Sequence, residues 1–153
     1  MSGDCCELPS VPRGFGECPE SGSPGKPVDW LTVASLVNGR VPPRQDIWLC
    51  RDPDCLIVYF GAQGLLLTAN DLHVTPGFKT GSNGLVCYCF GHRKEDIARD
   101  LSQRGDTSIL ESIQNEVQAG NCACEVRNPA GKCCLGEVQR TIQDLRVEMG
   151  VTA

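Results

Sequence analysis

Eleven of the 153 residues are cysteine, and six of those open and close a single stretch. It begins C-Y-C-F-G-H, with Cys87 and Cys89, and ends C-A-C-E-V-R-N-P-A-G-K-C-C-L-G-E-V, with Cys122, Cys124, Cys133 and Cys134. Thiolates are soft anionic donors, suited to zinc, copper(I) and iron–sulfur clusters rather than to hard cations. A [2Fe–2S] cluster takes four of them. A C-x-C on a loop can grip one end, which leaves Cys122, Cys124, Cys133 and Cys134 competing for the two places at the other. Asn128-Pro129-Ala130-Gly131 has the residue types of a type I turn, which folds Cys124 and the Cys133–Cys134 pair back toward each other. Cys134 also stands at a helix start, where unpaired backbone N–H groups stabilise a thiolate and donate to cluster sulfur. These features favour Cys134 over Cys133.

A second group lies upstream. In I-W-L-C-R-D-P-D-C-L-I-V-Y-F, two apolar β-type runs flank a C-x4-C, so Cys50 and Cys55 sit on a tight turn between a strand and its return. Two thiolates so placed can converge on one ion, zinc being the natural occupant. The bland reading is a metal-free hairpin held by its own proline, as inert buried thiols or a zinc site are the bland readings of the first group.

Compartment decides between metal and disulfide. The opening M-S-G-D-C-C-E-L-P-S has neither a basic n-region nor an apolar h-region, so the expectation is a cytoplasmic protein whose clustered thiols stay reduced. The most apolar run, residues 56–67, is short and broken by two glycines and Gln63, which predicts no membrane insertion. A net charge of −5 and a pI near 5.0 argue against nucleic acid as a partner.

The elements that must position these thiols fall into two halves. Residues 1–17 read as a flexible tail holding Cys5 and Cys6, which have no evident role. Residues 18–78 read as a zinc-ribbon-like β domain, in which 28–41 is a strand or a short helix that periodicity does not resolve. T-P-G-F-K-T-G-S-N-G (75–84) has linker composition. Residues 85–148 then read as a helical domain. One helix carries Ile97, Ala98 and Leu101 and ends at Gly105; a second, capped by Asp106, carries Ile109, Leu110, Ile113 and Val117; a third begins beside Cys134. The fold class expected is α+β.

The C-x-C, the helical insert and the paired cysteines before a last helix resemble the small fold of bacterioferritin-associated ferredoxins. V-C-Y-C, N-P-A-G-K-C-C, the C-x4-C followed by V-Y-F and the initial C-P-E together look like the N-terminal metal-binding domain of CopZ-type copper chaperones, over roughly Cys18 to Leu145. The resemblance implies a zinc ion beside a [2Fe–2S] cluster, with Cys87, Cys89, Cys124 and Cys134 as cluster ligands. Cys122 is then an extra thiol and Cys133 a neighbour turned into the core. Lys132, Arg127 or the Gly91–His92 backbone would tune the cluster. The family's zinc motif falls on Cys18, Ser21, Cys50 and Cys55, so a hydroxyl that binds zinc poorly stands where a thiolate is expected: either the site is three-thiolate and weak, or Cys5 or Cys6 folds back to complete it, or it is lost. No M-x-C-x-x-C copper-carrying motif follows within the sequence.

The resulting expectation is a non-enzymatic protein with a [2Fe–2S] cluster and Zn2+, passing single electrons to a redox partner or a copper-handling protein. The alternative is a thiol-based metal-binding or metal-sensing module with no electron-transfer role, in which surplus thiols bind copper(I) or mercury(II). A thiol-redox enzyme is disfavoured by the lack of any C-x-x-C. His73 is read as a surface residue in an alternating strand and His92 as a neighbour of the cluster. Trp30, Trp48, Tyr59 and Phe60 are read as core, and Tyr88 as pointing away from the cluster.

Overall fold

The structure, a computed structural model, describes residues 16–150. Cys5, Cys6 and the tail up to residue 15 lie outside them. The architecture mixes helices with antiparallel sheet. The two apolar runs around the C-x4-C form β2 (Ile47–Cys50) and β3 (Ile57–Gly61), paired antiparallel with Leu49 opposite Tyr59. β1 (Gly25–Val28) lines the far edge of β2 and β4 (Leu66–Thr68) that of β3, giving the order β1-β2-β3-β4.

The four consecutive buried residues Ile57 to Phe60 show why β3 is apolar throughout: both its faces are covered. Val58 and Tyr59 join Val28, Ile47 and Leu49 against Val33 and Leu36 of α1 (Trp30–Leu36), whereas Ile57 and Phe60 wall in Cys18 and Cys50. The ambiguous segment from Val28 is both things in turn. Val28 ends β1, and Asp29 takes the N-cap position of α1, its carboxylate accepting the Leu31 N–H at 2.8 Å. Tyr59 and Phe60 are core, while Trp30 and Trp48 are only half-buried.

In the second half, β5 (Leu85–Cys87) and β6 (His92–Arg93) form a hairpin around the C-Y-C-F-G turn. Three amphipathic helices follow: α2 (Lys94–Arg104), α3 (Ile109–Gln118) and α5 (Leu135–Met149), with the single turn α4 (Cys124–Arg127) before the last. Ile97, Leu101, Ile113 and Val138 are fully buried where they meet, as their three- and four-residue spacing requires. Gly105 closes α2 in the left-handed conformation. Asp106 does not cap α3. Ser108 holds that position, and Asp106 instead accepts from the Thr107 N–H and pairs with Arg146.

Three further expectations need correction. Residues 75–84 do not behave as a linker: Lys79 is only 5% exposed, and Thr80 bonds back to Pro53 and Asp54. His73 lies after the 3-10 turn Ala69–Asp71 rather than in a strand. Cys133 is exposed rather than turned into the core. No helix among the described residues is long and apolar enough to cross a membrane.

The two halves are joined by hydroxyls. Thr32 on α1 donates to the Glu125 carbonyl at 2.6 Å, and the buried Tyr59 hydroxyl donates to the Pro129 carbonyl. Gly131 has φ +69°, and a Cβ there would come within 2.7 Å of Thr32 Oγ1, so the close approach needs glycine on two counts. The chain between Cys124 and Cys134 is thus anchored on the sheet half.

Candidate metal centres

The first centre gathers Cys18, Cys50 and Cys55. Their sulfurs all lie within 4.8 Å of one another, with Cys18 and Cys55 at 3.8 Å. Cys50 ends β2 and Cys55 closes the D-P-D turn, in which the Asp52 carboxylate accepts the Asp54 N–H at 2.9 Å. Cys18 enters from a separate turn, closed by bonds from its own N–H to the Ser23 carbonyl and from the Gly22 N–H to its carbonyl. That turn also carries Ser21, whose hydroxyl lies 3.6 Å from Cys50 Sγ and is a hydrogen-bonding neighbour of Cys18 and Cys55. Ser21 therefore stands at the fourth corner of the site.

Around a tetrahedral zinc with Zn–S bonds of about 2.3 Å, sulfurs sit about 3.8 Å apart. The three thiols already approach that spacing. For Cys18, burial acts to raise the pKa, but the Ser21 amide and hydroxyl and the Glu20 amide together bring it down to about 7. Burial holds the Cys55 thiol above its ordinary range, opposed by the Ile57 N–H.

The turn is held from below by Lys79, absent from the sequence reading. Its ammonium donates to the carbonyls of Asp52 at 2.7 Å, Cys55 at 3.2 Å and Ile57 at 2.7 Å. These three bonds tie the start of the turn at Asp52 to its end at Cys55 and Ile57. A lysine within a run of Thr, Gly, Ser and Asn leaves no periodic signal by which it could have been found.

The second group is arranged differently. Cys134 Sγ lies 3.3 Å from Cys87 Sγ, and Cys89 Sγ lies 3.5 Å from Cys124 Sγ, so the four thiols come as two close pairs. They do not converge as the first three do: among the described residues, Cys18, Cys50 and Cys55 are the one set of three potential ligands all within 4.8 Å. The Cys87–Cys134 pair is buried, while Cys89 is half-exposed. Cys122 packs at the edge of the helical core and Cys133 faces outward, so neither belongs to a pair.

Backbone donors surround these sulfurs. The Cys134 thiol donates to Cys87, and against burial the Phe90, Cys89 and His92 N–H groups add to that effect, placing Cys87 at about 7. Cys134, as the donor, is pushed far up. Burial raises Cys124 to about 12 despite the Cys134 N–H aimed at it. The Ala123 N–H donates to Cys89 Sγ at 3.3 Å. Gly91, at φ +74°, returns its N–H to the Cys87 carbonyl and so turns the Phe90 and His92 amides inward. Arg127 reaches the Cys89 carbonyl at 3.4 Å. Tyr88 projects the other way, its hydroxyl accepting the Gly77 N–H at 2.8 Å.

The family model for the CopZ-type zinc binding domain matches residues 16–73. The X-ray structure of the Archaeoglobus fulgidus CopZ N-terminal domain is similar to this chain at 25% identity, with a TM-score of 0.64, covering 82% of this chain and 96% of that one. No curated protein sequence matches it. The chain thus contains a CopZ-like metal-binding domain with a cysteine triad of metal-binding geometry.

Proposed function

We propose that this protein is a thiol-based metal-binding module with two unlike centres. Cys18, Cys50 and Cys55 would hold zinc, with Ser21 or a ligand from elsewhere at the fourth corner. Cys87, Cys89, Cys124 and Cys134 would hold a [2Fe–2S] cluster. The observation that carries the second assignment is the division of four thiols into two close pairs. A mononuclear site needs all four sulfurs at roughly equal spacings of about 3.8 Å. A binuclear site needs two on each metal, which fits Cys87 with Cys134 and Cys89 with Cys124. The amides of Phe90, His92, Ala123 and Cys134 are the donors such sulfurs require.

A bound [2Fe–2S] cluster supplies one-electron chemistry. The chain's own contribution is to bury one end behind Cys87 and Cys134 and bring the other, at Cys89, toward the surface. That asymmetry favours a further reading, in which electrons pass to a redox partner or copper-handling protein docking at the Cys89 end.

Zinc, iron, labile sulfide and copper measured on one anaerobic sample test the metal content, and electron paramagnetic resonance of the reduced protein tests the cluster. The expected result is one zinc, two irons and two sulfides per chain. Two zinc ions and no sulfide would leave the module reading and remove the cluster. Copper(I) titration of Cys122→Ser and Cys133→Ser separates the two roles, since a carrier should be indifferent to both.

A further inference from the structure

The protein carries 14 basic against 19 acidic residues, yet five of its basic side chains line one cleft between the two halves. These are Lys26 on β1, Arg51 after β2, Lys94 at the start of α2, Lys132 before the Cys133–Cys134 pair, and Arg140 on α5. We propose that this cleft binds a small polyanion of phosphate or carboxylate chemistry.

Glu137, Asp144 and Glu148 of α5 also line the cleft, but Glu137 is engaged by Arg140 at 3.4 Å. Among the described residues, no carboxylate lies within 4.0 Å of Lys26, Arg51, Lys94 or Lys132. Lys26 is partly buried, and both burial and the nearby Lys132 and Arg51 charges depress its pKa, so cations from three separate elements feel one another there. Glu137 offsets part of this repulsion, yet five cations against three carboxylates leave the cleft net positive, and an anion between the cations reverses the sign of their mutual interaction. The cleft volume of about 610 Å³ suits a small ligand, and the junction of two packed halves is where such sites occur. Leu49, Val86 and Pro129 supply apolar walls that strengthen charge–charge attraction. The site adjoins both metal centres: Arg51 follows Cys50, Tyr88 lies between Cys87 and Cys89, and Cys133 precedes Cys134. It does not depend on which metals they hold.

The test is calorimetric titration of the metal-loaded full chain with inorganic pyrophosphate and, separately, citrate, which distinguishes phosphate from carboxylate chemistry. Saturable one-to-one binding with a dissociation constant of about 1 mM or tighter is expected for at least one probe, weakening as salt rises. Lys26→Gln with Lys132→Gln should weaken it at least ~10-fold, whereas Arg40→Gln on an exposed loop should leave it unchanged. Amide chemical-shift changes in the unmodified chain, centred on Lys26, Gly77 and Lys132, check the location should the double variant misfold. Absence of saturation by either probe, or equal binding by the double variant, would overturn the proposal. So would binding of an oligoglutamate peptide alone, which would mark a protein-docking surface.

Discussion

The fourth corner of the zinc-type site offers the sharpest perturbation. Ser21 Oγ lies 3.6 Å from Cys50 Sγ, and Cys18 and Cys55 are 3.8 Å apart, close to the ~3.8 Å edge of a zinc–thiolate tetrahedron. Ser21→Cys therefore places a fourth sulfur at the corner with little movement of the backbone. Structural zinc sites bind with about 10–16 kcal/mol over four ligands, or roughly 2.5–4 kcal/mol for each. The hydroxyl, or a water in its place, already supplies part of one share, so the lower figure is the ceiling, and zinc affinity should rise by up to about 60-fold. Competition against a chromophoric chelator under reducing conditions measures this, with Ser21→Ala as the reference for loss of the hydroxyl. An increase of less than about threefold would refute the reasoning. It would mean that the corner is filled by another group, for which Cys5 or Cys6 is the candidate.

Lys79→Met removes three charge-assisted bonds that hold the metal turn. Each is worth about 1.5–3 kcal/mol before the cost of burying the ammonium, so a net loss near 3 kcal/mol should lower the melting temperature by about 6–12 °C, read by thermal unfolding of the zinc-loaded protein. Cys133→Ser should keep labile sulfide and visible absorption, whereas Cys134→Ser should abolish both; the reverse pattern would exchange the last cluster ligand. In the metal-free, reduced protein, Cys18 and Cys87 are lowered from 9.0 to about 7. Their folded state binds fewer protons than the unfolded one between those values, so their stabilisation is full above pH 9.0 and is lost as pH falls through 7. Cys124, raised from 9.0 to about 12, and Cys134, also raised, act oppositely above pH 9.0. Denaturant midpoints should accordingly peak near pH 9, and a midpoint that falls from pH 7 to 9 would contradict the assigned hydrogen bonds.

Much of the architecture was legible because it is local. The helices around Ile97, Ile113 and Val138 announce themselves by spacing, and the β2–β3 hairpin by two apolar runs flanking a turn. Asp106 was misplaced as a cap because its carboxylate is also drawn to Arg146, 40 residues away. The 75–84 run was read as a linker because turn residues look alike whether they are free or clasped. Only the arrangement of the Asp52, Cys55 and Ile57 carbonyls makes Lys79 a fastener.

What the sequence by itself determined is the donor chemistry: soft thiols in two groups, on turns that bring each group's members together, with Ser21 in place of one. Tertiary structure alone decided which sulfurs meet. Cys87 finds Cys134 across 47 positions and Cys89 finds Cys124 across 35, because α5 packs on α2 and the β5–β6 hairpin, while Thr32 and Tyr59 of the other half hold the intervening chain. Periodicity records which face of an element is buried. It carries no record of what that face is buried against, and the two sulfur pairs and the basic cleft both arise from that second choice.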